Sequence, residues 1–283
     1  MKNKLVLELE YCKALLKAKL KMKRRKASSK SPWHFADKVG LADQNSLRLQ
    51  FEEQCDASLS KFERRVDSSW AERSILMSEG FAVCAMADLY KIDCLIESGT
   101  YNGRSAEIFA QYFDGHPSLN TVDIKIRKQA VERLSAYKNT TLYEGEGHQK
   151  ILKLLSNMKD KKVGVFIDGP KGKKAVLLTL ELLNHPEVAF VGIHDLHARN
   201  YDGQTRSICR RLFDAVIPLK ISTDEEFFVD KYRKLDCSEN GRDLDQGLEW
   251  RPYMFVDPET ETCKRHLGSY GPTIAFATLS TPA

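Results

Sequence analysis

The sequence has no run approaching the roughly 18 consecutive apolar residues that a membrane-spanning helix needs, and its N-terminus lacks the uninterrupted apolar core of a secretory signal. These absences set the expectation of a cytoplasmic chain. There is no CxxC pair either. The seven cysteines (Cys12, Cys55, Cys84, Cys94, Cys209, Cys237, Cys263) are odd in number and scattered, which argues against a disulfide framework and a cysteine zinc site. They read as reduced thiols packed as small core residues. Internal repeats are missing, and no proline interrupts residues 43–90. What is present is ordinary for a globular protein: of 283 residues, 42% are hydrophobic, 29% charged and 9% aromatic. One large α/β core with an appendage is expected at this length.

Net positive charge is confined to one segment. Residues 1–30 hold eleven Lys or Arg against Glu8 and Glu10, whereas the rest of the chain has 33 bases and 37 acids. A net acidic body argues against a nucleic-acid partner, because phosphate-backbone binding draws on clustered Lys and Arg. In the tail, Leu5, Leu9, Cys12, Leu16 and Leu20 recur at spacings of three and four, while Lys13, Lys17, Lys21, Arg24 and Arg25 fall largely elsewhere. This basic amphipathic helix reads in two ways. It docks on its own domain or on a twin subunit of a homo-oligomer, or residues 1–26 make peripheral contact with anionic lipid at a membrane surface, at about 1 kcal/mol per base. Ser28, Ser29, Ser31 and Pro32 form a polar break after it. The organisation read from the sequence is therefore a tail (1–30), a helical lead-in (31–90) and a main domain (91–283).

The lead-in predicts two or three helices, with Leu47, Leu49, Phe51, Leu59, Phe62, Trp70, Leu76, Phe81 and Met86 supplying apolar faces. From residue 92 onward short apolar runs alternate with helical patterns, as in a parallel sheet flanked by helices. Strands are expected at Ile92–Glu97, Asn120–Ile124, Thr141–Tyr143, Val163–Asp168, Val188–His194, Ala215–Leu219 and Thr273–Leu279. Helices are expected at Gly103–Phe113, Arg127–Tyr137, His148–Asn157, Lys173–Leu183 and Gln204–Phe213. The fold class is α/β: a Rossmann-like, seven-stranded, mostly parallel sheet with helices on both faces and an N-terminal helical extension. In such sheets the ligand lies beyond the carboxyl ends of the strands.

Several chemistry-bearing residues fall at those ends. The first strand runs into Glu97-Ser98-Gly99-Thr100-Tyr101-Asn102-Gly103-Arg104-Ser105, a glycine turn and helix start in which Gly103 would let a ligand approach and Ser105 would help hold a carboxylate. Its spacing fails the GxGxxG dinucleotide fingerprint and lacks the Lys-Ser/Thr ending of a P-loop. The second strand ends at Asp123, where an acid is placed to accept bonds from ribose hydroxyls. The third reaches Glu144-Gly145-Glu146-Gly147, and the fourth ends Ile167-Asp168-Gly169-Pro170-Lys171. Taken singly, each acid reads better as a helix N-cap or turn residue. The series at successive strand ends carries the argument.

The run Glu97–Ser105 followed by Ala106, the Asp123 strand end, the Asp168–Lys171 loop and the Asp195 strand end resemble class I S-adenosylmethionine-dependent methyltransferases, and within them the catechol O-methyltransferase-like group. The resemblance covers roughly residues 92–200. It implies that Gly99, Tyr101 and Ser105 line the methionine end of the cofactor, that Asp123 holds the ribose, and that Glu146 sits beside the adenine. Glu97, Gly103 and Asp168 complete the expected cofactor set. It further implies a divalent metal (Mg or Mn) on Asp168 and Asp195, with Lys171 removing the proton of the substrate hydroxyl. Leu196 departs from the asparagine that follows the second metal acid in that group. His197 offers an imidazole better suited to Mn²⁺, Fe²⁺ or Zn²⁺; alternatively Asp168, His194, Asp195 and His197 form a metal-free acid-base group, with His194, Lys171 or Asp195 as the catalytic base.

The function that this resemblance implies is methyl transfer to a hydroxyl oxygen of a small-molecule acceptor. The alternatives are a tethered binding protein with weak or no catalysis on the same fold, and a metal-dependent oxygenase resembling the cephalosporin hydroxylases. Tyr201–Tyr270, with Trp250, Tyr253 and His266, is the expected lid or acceptor pocket.

Overall fold

Strands buried on both faces read as short apolar runs, and two runs are buried at every position: CLIES, apolar up to its last two residues, Glu97 and Ser98, and VGVFI, apolar throughout. They form the centre of the sheet as β1 (Cys94–Ser98) and β4 (Val163–Ile167) in a computed structural model. It describes residues 41–67, 75–196, 212–223, 225–236, 274–279 and 281–282, together with positions 13 and 16. The other strands are β2 (Ser118–Asp123), β3 (Thr140–Glu144), β5 (Val188–Ile193), β6 (Leu219–Ser222) and β7 (Ala275–Thr278). The helices are α1 (Leu41–Arg65), α2 (Met77–Tyr90), α3 (Arg104–Phe113), α4 (Lys128–Leu134), α5 (Gly147–Ser156), α6 (Lys173–Leu182) and α7 (Glu226–Tyr232).

The seven strands lie in the order β3-β2-β1-β4-β5-β7-β6. The pairs from β3 to β5 are parallel, and β7 runs antiparallel to both β5 and β6. Strand pleating divides the core into two layers. Leu95, Leu119, Phe166, Phe190 and Phe276 face one layer with α1, α2 and α3; Cys94, Ile96, Val165, Ile167 and Val191 face the other with α5 and α6. The same alternation sends Glu97 toward α3 and Ser98 toward α5.

The lead-in helices belong to the first layer. On α1, Leu47, Phe51, Cys55, Ser58 and Phe62 are buried at spacings of four, four, three and four, a single helical stripe. Phe51 packs on Phe276 of β7 with ring centroids 6.0 Å apart, and Phe62 packs edge-on against Phe81 of α2 at 5.2 Å. Leu49 falls off this stripe and is 58% exposed.

Several boundaries shift by a few residues from the sequence expectation, and two have a clear physical cause. The sixth strand begins at Leu219 and not at Ala215, because residues 212–216 are helical. Leu212, Phe213, Val216 and Ile217 bury one helical face, and Pro218 then ends the helical path. The second strand stops at Asp123, leaving Ile124 exposed. Cys55, Cys84 and Cys94 are free, buried thiols, and the other cysteines lie outside the described residues. So do most of the basic tail, the Ser/Pro break, His197, Trp70, Trp250, Tyr253 and His266. Among the described residues, no helix is long and apolar enough to cross a membrane.

Candidate active site

The sheet reverses its winding between β1 and β4, and in open α/β sheets ligands bind beyond the carboxyl ends of the strands at such a switch point. Gly99 begins the turn after β1 with φ +107°, and a Cβ there would stand 3.0 Å from Gly169 N. A side chain is therefore barred on two counts, and the β1 and β4 loops touch backbone to backbone. Asp168 N and Gly169 N both donate to the Ser98 carbonyl at 2.8 Å, fixing the β4 loop against the end of β1. Tyr101, at φ 45°, donates its N–H to Asp123 Oδ2 at 2.7 Å, which fixes one oxygen of the carboxylate at the end of β2. The Arg127 guanidinium lies 3.9 Å from the centroid of the Tyr101 ring.

Other members of the expected set have structural duties. Gly103 starts α3 at φ +80°, and a Cβ on it would meet Ala130 and Leu134 of α4, so its smallness serves helix packing. The Ser105 and Thr121 hydroxyls both donate to the Glu97 carboxylate, and Thr121 also bonds Thr100 at 2.6 Å. Glu97 is completely buried. Burial raises its pKa, the two hydroxyls oppose that rise, the charges of Asp168 and Asp123 add to it, and the result is pushed up to about 7. Glu146 is exposed and caps α5, accepting from Gln149 N at 2.8 Å.

The second focus lies at the ends of β4 and β5. The Lys171 ammonium bonds Asp168 and lies 2.9 Å from Asp195 Oδ2. His194 Nδ1 also bonds Asp168, and His194 Nε2 lies 3.1 Å from Glu79 Oε2. Burial works to lower the His194 pKa, but the charges of Glu79 and Asp168 and their hydrogen bonds overcome it and raise the value to about 10. The raised pKa favours the imidazolium, the form that donates from both nitrogens, and the Lys171 ammonium stands 3.1 Å from Nδ1. Burial likewise opposes the Lys171 ammonium, yet Asp168 and Asp195 hold its pKa above the ordinary lysine value. Asp168 shows the complement. Its burial favours the neutral acid, but His194 and Lys171 pull it well below the usual carboxylate range. Two cations thus converge on one carboxylate, with Glu79 and Asp195 supplying the outer negative charges.

Comparison with known proteins adds shape but no close relative. No protein-family model matches the sequence, and no curated protein matches it. Similar solved structures include a putative O-methyltransferase from Klebsiella pneumoniae, at 18% identity and TM-score 0.40, covering 60% of this chain and 81% of that one. Cofactor-bound Rv0187 from MTB is 14% identical with TM-score 0.45, over 80% and 89% of the two chains. The O-methyltransferase TomG from Streptomyces achromogenes, in complex with SAM, is 15% identical with TM-score 0.40, over 66% and 90%. The sheet itself is diagnostic: five parallel strands ordered 3-2-1-4-5, with the antiparallel β7 set between β5 and β6. The chain has the class I methyltransferase fold.

Within that methyltransferase fold, Asp168, His194 and Asp195 present ligand atoms within 4.8 Å of one another. As a donor set for a divalent cation they do not fit. Lys171 stands on both carboxylates, both nitrogens of His194 are taken, and the next residue is the buried Leu196. A hard cation requires six or more oxygen ligands or waters, and an ammonium already fills the approach. Sequence reasoning missed Glu79, which is 2% exposed and also accepts from Leu76 N at 2.8 Å. Its only sequence signal is an acid in the first turn of an apolar helix, which reads as a capping residue. Nothing in the spacing ties it to His194, 115 positions away.

Proposed function

We propose that this protein transfers a methyl group from S-adenosylmethionine to a hydroxyl oxygen of a small-molecule acceptor. The observation that carries the reading is the presence, at the carboxyl ends of the two strands flanking β1, of a ribose-competent acid and a cation-carboxylate pair. Asp123 has one carboxylate oxygen engaged by Tyr101 N, and its Oδ1 has no partner among the described residues. The place where a Cβ of Gly169 would stand has no heavy atom within 4 Å, which leaves room for a ligand at the end of β4. These residues fit the cofactor. When bound, it supplies an electrophilic methyl carbon on a sulfonium sulfur.

The side chains divide the remaining work. For an acceptor hydroxyl to attack that carbon, its proton has to leave, and the residues at the ends of β4 and β5 would take it up. His194 donates from both nitrogens, and Asp168 is committed to two cations. Asp195 is the carboxylate placed to take the proton, while the Lys171 ammonium faces the developing oxyanion and stabilises it. Asp123 acts on affinity and not on the chemical step.

Calorimetric titration with S-adenosylmethionine tests the reading. Asp123→Ala should weaken binding by about 1.5–3 kcal/mol, the range for hydrogen bonds to a charged group. Asp195→Asn should lower turnover and leave cofactor affinity unchanged, because a proton acceptor acts in the transition state. Failure of the native protein to bind the cofactor would refute the assignment and favour a binding role for the fold.

A further inference from the structure

The carboxylates at the ends of β4 and β5 are joined by a side chain of this chain, and the way they are joined restricts what the site can hold. Lys171 Nζ bonds Asp168 Oδ1 and sits 2.9 Å from Asp195 Oδ2, so it occupies the position from which both acids would be bridged. His194, the only nitrogen donor grouped with them among the described residues, is fixed on both edges. Asp168 holds Nδ1, and Glu79, reaching in from α2, holds Nε2 at 3.1 Å. Glu79 is itself immobilised by the Leu76 N–H at 2.8 Å and is 2% exposed, so the ring cannot swing free without unpairing a buried acid. A divalent cation entering here would lie within a few ångströms of the ammonium, and their repulsion is strong in a partly buried setting.

We propose that the ammonium of Lys171 takes the place of a divalent cation in this protein, with Glu79 as the positioning residue that keeps His194 out of any ligand set. The proposal deepens the methyl-transfer reading and takes its catalytic meaning from it. An ammonium has three N–H donors, and Asp168, Asp195 and, at 3.1 Å, His194 Nδ1 surround this one, so the position a cation would take is enclosed by the chain's own side chains.

Mn²⁺ binding to the full chain, followed by electron paramagnetic resonance and calorimetry, tests this without reference to turnover. The native protein should show no stoichiometric Mn²⁺ site that Asp195→Asn alters. Lys171→Met removes the ammonium and leaves the acids, and should raise Mn²⁺ affinity at least tenfold; adding Asp195→Asn to it should abolish the gain. A native one-to-one Mn²⁺ site lost in Asp195→Asn overturns the proposal and directs attention to the oxygenase alternative. No gain in a Lys171→Met protein with a cooperative melting transition overturns it too. If that variant does not fold, the comparison of the native protein with Asp195→Asn still decides. Titration of S-adenosylmethionine into the same proteins reports separately on the methyl-transfer reading, so the two fail independently.

Discussion

Replacing Glu97 with glutamine should stabilise the folded protein above neutral pH, although it alters a residue at the centre of the candidate site. The Glu97 side chain is fully buried between β1 and α3, and its two oxygens accept from Ser105 and Thr121. Its pKa stands at about 7 against an ordinary 4.5. The folded state therefore holds this proton more tightly than the unfolded chain does. Between pH 4.5 and about 7 the native protein binds more protons than the denatured one, so its stability falls as pH rises through that window and stays lower above it. The gap corresponds to about 3 kcal/mol. Glutamine has the same shape and no charge at any pH. Its carbonyl oxygen accepts one hydroxyl, and its amide donates to the other, which is free to reorient because Thr121 also shares a hydrogen with Thr100. Urea unfolding of both proteins at pH 5, 6, 7 and 8 is the assay. Every other titrating group is common to the pair and cancels, so the difference should move by about 3 kcal/mol in favour of Glu97→Gln across the series. A difference that stays constant with pH would mean that Glu97 is ionised throughout, and the burial argument would be wrong.

Gly99→Ala should cost about 1–3 kcal/mol, because φ is +107° and the new methyl would lie 3.0 Å from Gly169 N; chemical denaturation measures it, and a neutral result would contradict the contact between the two loops. The His194 imidazolium contributes stability that is fully present below about pH 6.5 and is lost as pH rises through about 10. Glu79→Gln should cost about 1–2 kcal/mol at neutral pH and reduce that alkaline loss, which paired urea titrations at pH 7 and pH 10 would show; an unchanged alkaline slope would remove Glu79 from the pair.

The parallel core was legible because its cause is local. Strands β1, β4 and β5 are buried in the centre of the sheet, so their apolar runs, Cys94–Ile96, Val163–Ile167 and Val188–Ile193, stand out in the sequence, and the expected spans meet the observed ones within two residues. The acids at strand ends were legible for the same reason, since Asp123, Asp168 and Asp195 follow directly from where each run stops. The sixth strand was misplaced because residues 212–216 are apolar enough to serve either period, and packing against the second core layer selected the helix.

By itself, then, the sequence determined the α/β class, the seven strands, and which residues stand at the carboxyl ends of the sheet. Tertiary structure alone decided which side chains meet there. It joined Glu79 to His194, set the Lys171 ammonium between Asp168 and Asp195, brought the Ser105 hydroxyl to a buried Glu97, and put Glu146 at the N-cap of α5. The physical reason is the range of the forces. Apolar periodicity is written into every few residues of chain, whereas an ion pair depends on which side chains the sheet order brings within about 4 Å, and that order is set by the packing of the whole core.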